Sequence, residues 1–184
     1  MPHVGDRWVY EARDANRPEK KYEIVVEVQA VTSSSVRDVF KPEGGAAVVL
    51  THRAGATLVG VAPGIASFSP YLRAFQEFRE GERWPHVEYK QLWNCSANVY
   101  CSVTASIVGK ERVSVRAGTF DAWKIVVIIS YFSGHIELGY WYSEDPKRVV
   151  KYQIRAISPG MMGALWIQPD IDMELVSYVP AGTK

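Results

Sequence analysis

Residues 108–151, VGKERVSVRAGTFDAWKIVVIISYFSGHIELGYWYSEDPKRVVK, decide how this chain is read. Positions 112–115 alternate polar and apolar, and Arg116-Ala117-Gly118-Thr119 follows with turn chemistry. Gly118 is the residue there that takes φ > 0 without steric cost. Residues 120–131 are dense in Val, Ile and aromatic side chains, which favour a pleated, half-buried surface. Ser133-Gly134 offers a tight reversal, and the return places Ile136, Leu138, Tyr140 and Tyr142 on one face. Glu144-Asp145-Pro146 makes a second turn, since proline fixes φ and has no N–H for a ladder. Residues 148–157 complete the run, with Val150, Tyr152 and Ile154 alternating against polar neighbours. The stretch is predicted to be three consecutive antiparallel strands, with Gly118 as the structural turn residue that leads into them.

Working outward, the first half reads as the other side of the same sheet. Strands are expected over 4–10, 22–31, 36–40 and 47–53, with 13–20 a polar hairpin loop and Pro42-Glu43-Gly44-Gly45 a turn. Residues 54–70, rich in Gly, Ala, Ser and Pro, are the least legible. Ser69-Pro70 then supplies an N-cap and first helical position for a short helix carrying Tyr71, Leu72, Phe75 and Phe78. A last strand runs over 171–179. The fold expected is mainly β: one strongly bent antiparallel sheet, as a half-open barrel or a sandwich, with at most one or two short helices. The chain of 184 residues fits a single β-rich domain. Gly5-Asp6-Arg7-Trp8 and Gly81-Glu82-Arg83-Trp84 echo one another. The echo reads as two related halves, 4–75 and 80–180, or as chance combined with a common turn pattern. Under either reading Trp8 and Trp84 are expected to anchor the core.

GKERVSVRAGTFDAWKI followed by YWYSEDPKRVVKY resembles the DUF3108-like (TapB-like) group of bacterial cell-envelope domains of unknown function. In that group a V-x-V-P-A-G-T-F turn precedes a long strand, and Y-W-Y-S/A-P precedes a V-K-Y/F strand. Gly81-Glu82-Arg83-Trp84 is similar to its upstream G-K-T-W element. The resemblance covers roughly the second half of the chain, and Arg116 stands where the group has proline. It implies a periplasmic or extracellular bacterial location, with the leader removed from the sequence read here. It transfers no activity. The opening at Met1-Pro2 fits such a trimmed domain and a full-length cytosolic chain equally.

Composition narrows function by exclusion. Acidic and basic residues are interspersed to a net charge of +1, which gives no field for nucleic acid. The least polar run, 54–68, is broken by Gly55, Gly60, Pro63 and Gly64, so no segment spans a bilayer as a helix. His3, His52, His86 and His135 lie at no metal-ligand spacing and are read as surface or loop residues, so neither metal nor cofactor is expected. No G-x-S-x-G elbow, phosphate loop or dinucleotide fingerprint occurs, so no catalytic residue is assigned.

Three functional readings remain. The first is a non-catalytic envelope domain that binds an apolar small molecule, a lipid or a lipidated protein in the concave face of the sheet. Trp123, Trp141, Met161, Met162 and Trp166 line or lid that site, the last three in a Gly-broken apolar loop. The second is a structural or protein-interaction module with a filled core and another envelope protein as partner. The third is a hydrolase with a dispersed site. Cys95 and Cys101 add a question of redox state. In one extended strand their sulfurs lie about 20 Å apart, whereas a turn at Ser96-Ala97-Asn98 lets them pair. Two free thiols are the alternative, and the envelope resemblance favours the disulfide. Alkylation of unreduced protein followed by intact-mass measurement is expected to leave both thiols unmodified. Two modified thiols remove the disulfide.

Overall fold

The computed structural model describes residues 1–55, 58–62, 65–89, 101–131, 134–157 and 170–182. Its second half is a meander of long strands: β8 (Cys101–Val115), β9 (Gly118–Tyr131), β10 (Gly134–Ser143) and β11 (Arg148–Ile157). The first half supplies β1 (Arg7–Asp14), β2 (Arg17–Val31), β3 (Ser35–Pro42) and β4 (Val48–Arg53), and β7 (Arg83–Tyr89) and β12 (Ile171–Val179) complete the sheet. These ten strands run in the order β4-β3-β2-β1-β12-β11-β10-β9-β8-β7, all pairings antiparallel. The sheet curls without closing into a barrel, so β4 and β7 are its two edges. Between the halves lie a separate hairpin, β5 (Leu58–Ala62) with β6 (Ile65–Phe68), and the single-turn helix α1 (Leu72–Phe75).

Alternation of side chains along each strand sorts the sheet into two faces. One register row on the inner face runs Tyr22, Ala12, Met173, Tyr152, Tyr140, Ile125 and Ile107, from β2 to β8. Ile136, Leu138, Tyr140 and Tyr142 share this face and are all buried, as their spacing predicts. Val150 does not join Tyr152 and Ile154. A β-bulge opposite Trp141 and Tyr142 skips it, and Val150 packs instead in the cluster that contains Trp141. The expected polar loop over 13–20 is also corrected. The ladder between β1 and β2 runs through Arg13–Lys21 and Asp14–Arg17, leaving Ala15 and Asn16 as the connection. Pro18, Glu19 and Lys20 fall in the register shift between these two pairs and have no partner on β1, so the exposed residues bulge from the strand pair where water solvates them.

The far ends of β8 and β9 reach across to β12 and β1. Ala117 N donates to Leu175 O at 2.9 Å, and Arg116 Nη1 donates to Glu11 Oε2 at 2.7 Å. Val113 and Ala122 are thereby buried in the same cluster as Trp141. The sequence echo has a backbone counterpart. Gly5 N donates to Val28 O and Val28 N to Asp6 O, while Gly81 N donates to Ile107 O and Ile107 N to Glu82 O. Each Gly-acid pair thus admits its strand beside a long neighbour through the same two bonds. Trp8 is fully buried and Trp84 packs against the other core cluster. Cys101 opens β8 opposite Tyr89, while Cys95 lies outside the described residues, and with it the proposed pairing.

Gly118 pairs with Val115 across the two-residue turn Arg116-Ala117, at φ +139°. An added Cβ meets nothing closer than the Phe120 ring at 3.9 Å, so the cost of a substitution is backbone strain alone. Gly118→Ala is expected to destabilise by about 1 kcal/mol. A melting midpoint unchanged from that of the parent protein contradicts this.

Candidate functional site

Part of the inner face of the described sheet is covered by the chain itself. Residues 68–78, between β6 and β7, lay Phe68, Tyr71, Leu72 and Phe78 into it, all buried. Two tyrosine hydroxyls of β10 hold this segment down: Tyr142 donates to Ser69 O at 2.7 Å, and Tyr140 accepts from Phe68 N at 3.2 Å. Around them the rings meet mostly edge-to-face. Phe78 stands edge-on to Trp84, Trp123 and Tyr142, and Phe68 to Trp84. Such arrangements align ring edge with ring face and contribute beyond simple area burial. The helix is shorter than its apolar spacing implies. It begins at Leu72 with Tyr71 as N-cap and no side-chain cap, so Ser69 and Pro70 precede it, and Ser69 accepts from Tyr71 N through Oγ and from Leu72 N through its carbonyl.

Beside this segment lies a buried ionic cluster. Asp38 of β3, His52 of β4, Tyr71 of the covering segment and Arg148 at the start of β11 are all buried. Tyr71 OH donates to Asp38 Oδ2 at 2.9 Å, and Arg148 Nη1 donates to Tyr71 OH at 3.3 Å. Arg148 Nη1 also lies 3.4 Å from Asp38 Oδ2, and His52 Nε2 3.2 Å from Asp38 Oδ1. The guanidinium is boxed in by the rings of Trp8, Tyr10 and Tyr71. Trp8 Nε1 and Tyr10 OH donate to the carbonyls of Pro146 and Val149 on either side of Arg148. Burial pushes the Asp38 carboxyl up, but Arg148, His52 and Tyr71 outweigh it and hold the group below the usual carboxylate range. Burial also drives the Tyr71 hydroxyl well above its ordinary value, so it stays a donor.

Strongly perturbed groups of this kind mark active sites when they face a cleft. Here none of the four side chains lines a described cavity, and among the described residues no serine or cysteine side chain is bonded to His52. The cluster is a structural junction that joins the first half, the covering segment and the second half. Sequence reasoning placed His52 at the surface and passed over Asp38 and Arg148. The available signal was their parity: Asp38 and His52 occupy inward positions of strands whose inward neighbours are Val36, Phe40 and Leu50.

The residues expected to line an apolar site are distributed differently. Trp123 sits on the inner face against Phe78, with Lys110 Nζ 5.0 Å above its ring. It borders an open cleft of about 380 Å³ shared with Lys110, Asp121, Glu144 and Asp145, whose lining is polar. Trp141 is on the opposite face, in the other core cluster. It is enclosed by Lys124 and Lys151 over its ring and donates through Nε1 to Glu111. A Cβ on Gly139 would come within 2.9 Å of the Trp141 ring, so the glycine is what lets the indole lie flat on the strand. The two tryptophans therefore do not share a site. Met161, Met162 and Trp166 lie outside the described residues, in the connection from β11 to β12.

No protein-family model matches this chain, and no curated protein matches it in sequence. Two solved structures share its fold over nearly its whole length. A Bacteroides fragilis protein assigned as exported, with a YmcC-like fold, gives a TM-score of 0.53 at 13% identity over 97% of each chain. A Parabacteroides distasonis protein assigned as a lipoprotein gives 0.53 at 15% identity, again over 97% of each chain. At these identities the likeness is one of fold.

Removing one partner of a buried ion pair leaves the other uncompensated, so Asp38→Asn is expected to cost about 3–5 kcal/mol at neutral pH. Leucine at 38 combined with methionine at 148 is expected to recover much of that loss. The folded-state pKa of Asp38 is depressed, so its contribution is complete above the ordinary value of 3.8 and fades as pH falls through the lower folded value. Urea titrations across that window are expected to show a shallower acid loss in Asp38→Asn than in the parent. Parallel curves contradict the assignment.

Proposed function

We propose that this chain is a non-catalytic module of the bacterial cell envelope that works by holding another protein on its surface. The observation that carries this reading is the occupied inner face: Phe68, Tyr71, Leu72 and Phe78 fill the place an apolar guest requires. Location rests on the DUF3108-like resemblance of the second half, and the shared fold with proteins assigned as exported or as lipoproteins supports it. The buried Asp38–Arg148 cluster, set away from every described cavity, supports a non-catalytic role.

A second reading, binding of an apolar ligand, has one observation in its favour. At Met173 and Tyr152, both half-buried, and at Tyr22, 41% exposed, the inner face is only partly covered. The connection that carries Met161, Met162 and Trp166 leads into Ile171, which pairs with Asp14 at the same end of the sheet.

Native mass spectrometry and lipid extraction of protein purified from its own host separate the two. The interaction reading expects no stoichiometric lipid and no micromolar site for an apolar dye. One lipid per chain, or dye binding that Trp166→Ala weakens without shifting the melting temperature, establishes the ligand reading in its place.

A further inference from the structure

The two edges of the sheet are built differently. β7 contains Pro85, which has no N–H to offer, and its ladder with β8 breaks between Trp84 and Val87. Proline and a bulge are devices that blunt an edge. β4 reads Val48-Val49-Leu50-Thr51-His52-Arg53, without proline, lysine or acid, and pairs with β3 in unbroken register. Among the described residues β3 is its only ladder partner. Both apolar layers also end there uncovered. Val48 closes the inner row Trp8-Val26-Phe40-Val48 and is 38% exposed; Val49, beside Val39 on the outer face, is 56% exposed. An edge with no second ladder partner among the described residues, and with bare apolar ends on both faces, is a template for a further strand.

Charge identifies what that strand carries. On the outer face Arg37 pairs with Thr51, and Arg53 pairs with Ser35. Both arginines are exposed, and neither forms a salt bridge among the described residues. The one acid on β3 and β4 is Asp38, which points inward and is committed to Arg148 and His52. A second copy docked edge to edge would bring another Arg37 and Arg53 to the same outer surface, and like charges across neighbouring strands repel. An acidic segment meets the arginines with opposite charge and leaves its alternate side chains to continue the Val48 and Leu50 layer.

We propose that the free edge of β4 receives an extended segment of a partner protein, with apolar residues facing inward and carboxylates facing outward onto Arg37 and Arg53. This rests on the interaction reading above and specifies its surface.

The test uses the full chain and two octapeptides, one alternating valine with glutamate and one alternating valine with lysine. Amide hydrogen exchange and titration at low salt are the readouts. The glutamate peptide is expected to bind about tenfold more tightly than the lysine peptide and to slow exchange along β4. Arg37→Glu combined with Arg53→Glu, both exposed, is expected to invert that order while leaving the melting temperature within a few degrees. Equal affinities, slowed exchange at β7 in place of β4, an unchanged order in the double variant, or dimers of the free chain that protect β4 each overturn the proposal. Failure of both peptides to bind overturns the edge assignment alone, because the lipid measurement tests the underlying reading separately.

Discussion

The first half, the covering segment and the second half meet at Arg148. Its guanidinium has left water entirely, and the cost of that transfer is offset only because Asp38, the Tyr71 hydroxyl and three aromatic faces surround it. Each of those groups comes from a different part of the chain: Asp38 from the first half, Tyr71 from the segment that crosses the sheet, Arg148 from the second half. An ion pair of this kind adds little net stability compared with a well-packed apolar substitute, but it is intolerant of misplacement. Packing alone would allow the covering segment to slide along a greasy sheet. The directed bonds to Tyr71, with those from the β10 tyrosines to Ser69 and Phe68, set where it lies.

That placement determines what the protein has left to offer. Where the inner face is occupied by the chain's own rings, the described surface that remains includes the cleft beside Trp123 and the two strand edges. The cleft beside Trp123 mixes Lys110 with Asp121, Glu144 and Asp145, a lining suited to water and ions more than to a lipid chain.

Much of the architecture was legible in the sequence because it follows from local rules. The strands of 108–151 follow from alternation and from three turns, punctuated by Gly118 for its φ and by Pro146 for its fixed φ and missing N–H. The misreadings came where a long-range partner overrode a local signal. Charged residues over 17–21 suggested a loop, yet only Pro18, Glu19 and Lys20 leave the ladder, as a bulge, and pairing holds at Arg17 and Lys21 on either side. Val150 kept the right parity in sequence and lost it to a bulge that only the facing strand reveals. His52 looked like a surface histidine because its justification, Asp38, lies fourteen positions away on a neighbouring strand. Trp123 and Trp141 differ by an even number of positions and still face opposite ways, because they sit on separate strands whose register places Trp123 opposite Tyr142.

The pairing of β1 with β12 has a consequence for how the chain reaches this state. The centre of the sheet is made from its two most distant segments, fastened further where Ala181 N donates to Asp6 Oδ1 at 2.8 Å. Until residues 171–179 are available, β1 is itself an edge, and the two blocks of strands have no ladder in common. A loop spanning nearly the whole chain must close before the middle of the sheet exists, and such closure makes folding slow. A chain extended from one end, whether emerging from a ribosome or threading across a membrane, therefore passes through a stage with two half-sheets and four open edges. Joining residues near 6 and 181 through a short linker and cutting an exposed turn elsewhere would turn that last step into a local hairpin.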